Sequence, residues 1–307
     1  MNNQLFFIFN TKNHILINQK YNDMTEKSEF ITFPKTFEKY KWYKPILVFI
    51  IGVITYLILS LLLSLIFEVA YGEHLTNSIL NGGYEVMNSE IGQIFTDLGV
   101  IIMLPSLYIG AKIVKDRPFS SYASSRGGWN YKLYFKSLVI PFIIMILFEG
   151  ISVAFNGAEG TSHFSIGFFI ACLILVPLQC IAEEYVFRGL IMQTFGSWFN
   201  IPVLAVILQS IVFGMMHGYN SLGNISIVIS GLLMGILAWK SNGIEVSSAM
   251  HTANNLTLAL FVMFGLSVTS STIELTDTVL GIALDVIIFA AMYYVGMKTN
   301  WFGEIEN

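Results

Sequence analysis

An all-α, polytopic transmembrane helix bundle of about eight spans is predicted by three observations. The 307 residues are 55% hydrophobic and only 12% charged, against the roughly 25% charge of a soluble domain. Mean hydropathy is +0.67, and apolar runs near the ~20 residues that cross a bilayer recur along the chain. The basic residues fall between those runs in alternation rather than in one patch. The lipid bilayer is therefore the first partner implied. A net charge of −4 with scattered cations argues against nucleic acid.

Residues 1–44 form a polar, lysine-rich segment expected to lie in the cytoplasm. Leu5–Phe9 is too short for the apolar region of a signal peptide. A second methionine, Met24, leaves residues 1–23 readable as an extension without a folded role. The first span is expected over about 45–70 and is preceded by Lys35, Lys39, Lys41 and Lys44. The loop 71–90 has no Lys or Arg, and the second span runs over 91–114. Lys115, Arg117, Arg126 and Lys132 mark the next loop, whose stretch 116–132 reads as a bland turn and interface segment. The third span covers 133–155, the cation-free loop 156–163 follows, and the fourth span covers 164–190. Spans five to eight are placed at 201–218, 223–240, 244–265 and 276–297, with Lys240 and Lys298 at inner ends. Residues 45–298 thus form the membrane domain and 299–307 a short tail. The positive-inside rule puts both termini in the cytoplasm.

Pro105, Pro141 and Pro177 lie inside apolar runs, which membrane helices tolerate where neighbours satisfy the freed carbonyls. Gly231-x-x-x-Gly235 permits close backbone approach, in ordinary helix packing or in a dimer seam. Cys172 and Cys180 share one apolar run and are read as reduced packing residues.

Glu183, Glu184 and Arg188 close the apolar run 168–181. Ionisable groups at such depth are costly and mark functional sites. Glu184 and Arg188 are one turn apart, acid first, which is the favourable order for an ion pair. Glu183 projects about 100° away at 3.6 residues per turn and is free to face a cavity. An unpaired carboxylate of this kind suits proton abstraction from water. Phe213 precedes His217 by one turn and can fix its ring by packing. His251 and Asn255 share a face and can donate to a developing oxyanion. Each group alone also reads as a structural support or interhelical contact. Asp97, Glu149 and Asp285 stand singly on spans two, three and eight and read as interface or contact residues. Gln179 and Gln209 read as site support or interhelical glue, and Asn254 as projecting away from Asn255. No His-Glu-x-x-His, Gly-x-Ser-x-Gly or zinc-finger spacing is present.

The three motifs Glu183-Glu184-Tyr185-Val186-Phe187-Arg188, Phe213-Gly214-Met215-Met216-His217 and His251-Thr252-Ala253-Asn254-Asn255 resemble the signature of the CPBP family. This family, also called Abi, comprises CAAX-protease and bacteriocin-processing membrane proteins and includes the type II CAAX prenyl endopeptidases. The resemblance covers roughly 170–265. It implies an intramembrane endopeptidase acting on a peptide or membrane-protein substrate near the cytoplasmic side. Glu183 would be the general base, His217 would hold the water, and His251 with Asn255 would stabilise the oxyanion. Glu184 and Arg188, with Phe213, would order the site. The family has been described both as metal-dependent and as glutamate-dependent. No cofactor is required by the sequence; if a divalent metal such as zinc is bound, Glu183, His217 and His251 would be its ligands. A prokaryotic plasma membrane is the expected location, with leader peptides, pheromone precursors, bacteriocins or membrane-protein tails as substrates. A non-enzymatic scaffold or immunity protein and a proton-coupled transporter are the other two classes of function.

Overall fold

The computed structural model describes residues 29–299 and Trp301. The expected extension at 1–23 and most of the expected tail lie outside the described residues. The described chain is helical, with α1 (Lys44–Tyr71), α2 (Glu73–Asn81), α3 (Glu90–Ile101), α4 (Met103–Val114) and α5 (Tyr131–Asn156) in its first half. Helix α6 (Ile166–Glu184) runs without a break into a π-helical stretch, Tyr185–Met192, and then α7 (Gln193–Phe199). Helices α8 (Pro202–Met215), α9 (Ser221–Lys240), α10 (Glu245–Met263) and α11 (Leu275–Lys298) complete the bundle.

Six of these stretches are long and apolar enough to cross a bilayer: α1, α3–α4, α5, α6–α7, α9 and α11. These six make this an integral membrane protein. Helices α8 and α10 stand where spans five and seven are expected but do not reach that standard. Helix α8 has only 14 residues, about 21 Å at 1.5 Å per residue. Helix α10 is the interior helix: Glu245 to Ala253 are buried without interruption, and polar side chains are frequent along it. Its burial comes from protein neighbours, so it needs no uniformly apolar surface.

Local sequence sets the helix limits. Ser89, Asn130, Ser165 and Asn220 each accept a hydrogen bond from a first-turn amide, at 3.2, 3.1, 3.0 and 3.0 Å, and so start α3, α5, α6 and α9. Pro105 lacks an amide proton and crowds the carbonyl four residues back, at Ile101, where α3 and α4 are separated.

Hydrogen bonds define two ends of the bundle. At one end, Asn88 pairs with Thr269, His163 with Met263, and Asn220 with Ser271. At the lysine-rich end, Ser125 pairs with Asn242, Asn130 with Glu245, and Lys35 with Asn200. The segment before α1 is more than a polar approach: Phe30, Ile31 and Phe33 are fully buried there.

The loop expected to be bland is a structural brace. Arg117 is buried, donates to the Gly189 carbonyl at 3.0 Å and to Gln193, and stacks over Tyr122. A π-turn displaces its carbonyls from ordinary helical pairing, and Arg117 satisfies one of them. Gly189 has no side chain because a Cβ would lie 2.5 Å from the Tyr122 carbonyl oxygen. Gly189→Ala is therefore expected to cost about 2 kcal/mol or more, as overpacking against backbone does, measured as a lower thermal midpoint in detergent.

The Gly231-x-x-x-Gly235 seam is internal to the chain. A Cβ on Gly231 would sit 3.2 Å from the Phe213 ring, and one on Gly235 would sit 2.7 Å from Gln209 Nε2. Both glycines therefore face α8. Gln209 is interhelical glue, donating to the Gly231 carbonyl at 2.9 Å. Cys172 and Cys180 are buried and free.

Candidate active site

The three motifs meet in one place. Glu183 and Glu184 end α6, immediately before the π-helical stretch, a feature frequent at functional sites. Helices α7 and α8 form a hairpin around residues 200–201. Glu183 lies sixteen residues before Phe199 and His217 fifteen after Pro202, so the hairpin brings them level. His217 itself is not in a span, as expected for 201–218, but in the turn beyond Met215. The short α8 is what lets the second motif reach the depth of the first.

Glu184 is fully buried and fully partnered. Its Oε1 pairs with Arg188 Nη1 at 2.9 Å and with His251 Nδ1 at 3.1 Å, while Oε2 accepts from Ser247 Oγ at 2.7 Å. Arg188 is enclosed as well. It donates to the Gly231 carbonyl at 3.4 Å and lies 4.4 Å over the Phe213 ring. Glu183 is different. Its side chain remains 12% exposed, and its Oε2 lies 3.4 Å from His251 Nε2. The adjacent acids thus bracket one imidazole, one on each ring nitrogen.

These contacts constrain the protons. Glu184, a carboxylate committed to Arg188 and Ser247, offers only acceptor sites, so His251 Nδ1 carries a hydrogen toward it. His251 Nε2 is left facing Glu183 at 3.4 Å and donates toward it when it carries a hydrogen. At His217, Nδ1 lies 2.7 Å from the Phe213 carbonyl oxygen, which can only accept. Nδ1 is therefore the donor, and in the neutral ring Nε2 is a free acceptor. Phe213 holds this ring by its carbonyl as well as by an edge contact at 4.6 Å.

Glu183, His217, His251 and Asn255 line a cavity of about 200 Å³, large enough for a water beside a substrate side chain. Asn254 also lines it and donates to Asn255 Oδ1 at 3.0 Å, which corrects the expectation that it projects elsewhere. Gln179 lines the cavity too, while donating to Cys180 Sγ at 3.1 Å. Asp97 and Asp285, expected as contact residues, are both in the wall; Glu149 is not. Their single-acid sequence context gives no hint of this, because α3 and α11 join the site only through packing.

The walls reach Tyr84, Tyr219 and Thr269, at the end of the bundle opposite the lysines. Among the described residues, no loop residue of the lysine-rich end lines the cavity. Tyr84 and Tyr219 stack there with ring centroids 4.1 Å apart. Burial pushes the Tyr84 phenol well up and Tyr219 up to about 12, so both remain hydrogen-bond donors at neutral pH.

Glu183, His217 and His251 are the side chains that would ligate a divalent ion. Among the described residues, no three His, Cys, Asp or Glu side chains converge closely enough to hold one.

No solved structure matches the chain. A curated relative, an uncharacterized protein YyaK of Bacillus subtilis (strain 168), is 28% identical over 174 residues. The aligned part is 53% of this chain and 58% of that protein, so the chain spans little more than half of the relative it matches. The family resemblance read from the three motifs is shown by a further match that contains all of them. Over residues 165–257 the chain matches the family of type II CAAX prenyl endopeptidases described as Rce1-like.

Proposed function

We propose that this protein is an intramembrane endopeptidase that hydrolyses a peptide bond with water activated by Glu183. One observation carries the reading: of two adjacent carboxylates, Glu184 is consumed by Arg188, Ser247 and His251, whereas Glu183 faces a cavity against His251 Nε2. The description of the matched family, a CAAX-type peptidase, supports the same reaction class.

In the proposed step, Glu183 takes a proton from water while the water oxygen attacks the scissile carbonyl carbon. His217 Nε2 accepts the water's other hydrogen and orients it. His251 and Asn255 donate to the oxyanion, an arrangement worth several kcal/mol in a water-poor site. Glu183 then delivers its proton to the leaving nitrogen as the C–N bond breaks, which regenerates the carboxylate. The substrate is a leader, pheromone, bacteriocin or membrane-protein tail peptide. The lysine-rich end is assigned to the cytoplasm of a prokaryotic cell.

The test is comparative peptidomics of membranes from cells with the wild type and with His217→Ala or His251→Ala. Uncleaved precursors are expected to accumulate in both variants, with product peptides falling at least ~100-fold, the smaller end of acid–base contributions. A biological function that persists unchanged in both variants would instead identify a non-enzymatic scaffold.

A further inference from the structure

Among the described residues, the cavity wall carries the carboxylates of Asp97, Glu183 and Asp285, the imidazoles of His217 and His251, and no Lys or Arg. The neighbouring cation, Arg188, is sealed behind Glu184 and does not line the cavity. The three acids are also unequally engaged. Glu183 contacts His251, and Asp285 hydrogen-bonds to Ser230. Asp97 is 4% exposed, and Gln93 Nε2 donates to its Oδ1 at 3.0 Å. Its Oδ2 is buried against the cavity with no hydrogen-bond partner. A buried carboxylate oxygen left unpaired is costly, and Gln93 holds it in that orientation.

Helix α3 packs along α6, and Asp97 shares the cavity wall with Val176, which lies two turns from Glu183, about 10 Å along the helix. An extended peptide covers that distance in about three residues.

We propose that Asp97 forms a subsite for a cationic group of the substrate, about three residues from the scissile bond. The inference rests on the peptidase reading of Glu183 and adds the substrate class: a peptide with an ammonium or guanidinium at that position. A substrate held there by its terminal carboxylate would meet the unpartnered Asp97 oxygen, while the two imidazoles of the wall are held at the Phe213 carbonyl and at Glu184.

A basic side chain and a free N-terminal amine offer the same chemistry, and the experiment separates them. The full chain is purified, reconstituted in proteoliposomes and given internally quenched peptide libraries. One arm compares Lys, norleucine and Glu at each position in N-acetylated peptides. The other compares free and acetylated N-termini in norleucine peptides. At one position about three residues from the cut, the wild type is expected to favour Lys over norleucine about tenfold or more in kcat/KM, as for a buried charged hydrogen bond, and to reject Glu. Asp97→Asn is expected to bring the Lys-to-norleucine ratio within about twofold, and Asp97→Glu to retain the preference. A preference for free N-termini that Asp97→Asn removes would keep the subsite and assign it the terminal amine. Equal ratios in the wild type and Asp97→Asn, or no charge preference in the wild type, would overturn the subsite alone. If Asp97→Asn does not fold, the wild-type comparison of Lys with Glu decides. A folded wild type that cleaves no peptide would overturn the peptidase reading itself.

Discussion

Glu183→Gln is expected to lower the rate of peptide cleavage by at least about 10³-fold while leaving the thermal midpoint of the purified protein within a degree or two. A positioned general base contributes ~10²–10⁴, and Gln keeps the size of Glu183 while losing its basicity. The structure explains why stability is spared. Among the described residues, the Glu183 carboxylate makes one polar contact, at 3.4 Å with His251 Nε2, and its side chain retains access to the cavity. It carries none of the buried ion pairing. Single-turnover cleavage of a quenched peptide, alongside thermal unfolding in detergent, measures both quantities. A variant that cleaves as fast as the wild type would show that another group activates the water. A variant that unfolds early would show that Glu183 supports the bundle.

Much of this division of labour is legible in the sequence because it is local. The i, i+4 spacing of Glu184 and Arg188 and the 100° offset of Glu183 follow from helical geometry, and the ion pair is seen at 2.9 Å. What is illegible is tertiary. The stretch Tyr185–Met192 reads as continuous apolar helix, yet it is π-helical and is clasped by Arg117 from a loop that looks featureless in sequence. His251 pairs in sequence with Asn255, but its closest partners come from α6, 67 residues away for Glu184. Asp97 and Asp285 belong to helices whose own sequences show only an isolated acid in an apolar run. Nothing periodic marks which isolated acid faces protein and which faces lipid, and Glu149 shows that the same signal can lie outside the cavity.

The buried pair behind the site provides the sharpest test of which acid does what. Arg188→Met should destabilise the protein by about 3–5 kcal/mol, because it strands the Glu184 carboxylate in a fully buried position. Glu184→Gln should have a cost of the same order, since it strands the guanidinium. The double variant removes both charges, and replacing a buried ion pair by uncharged groups of similar size is often neutral. Its stability is therefore expected to return to within about 1–2 kcal/mol of the wild type, which a double-mutant cycle in thermal or denaturant unfolding would read as strong coupling. Activity should not return with it. Glu184 also holds His251 Nδ1 at 3.1 Å and accepts from Ser247 at 2.7 Å. Without that carboxylate, nothing fixes the Nδ1 hydrogen, and the ring no longer presents Nε2 to Glu183 in one state. Loss of a positioning carboxylate behind a catalytic histidine costs orders of magnitude in rate where it has been removed from a triad. The double variant is accordingly expected to be folded and slow, with the loss in kcat rather than KM. A double variant that recovered both stability and kcat would reduce Glu184 to a structural counterion. A folded, slow one would make it the group that sets the histidine on which Glu183 depends.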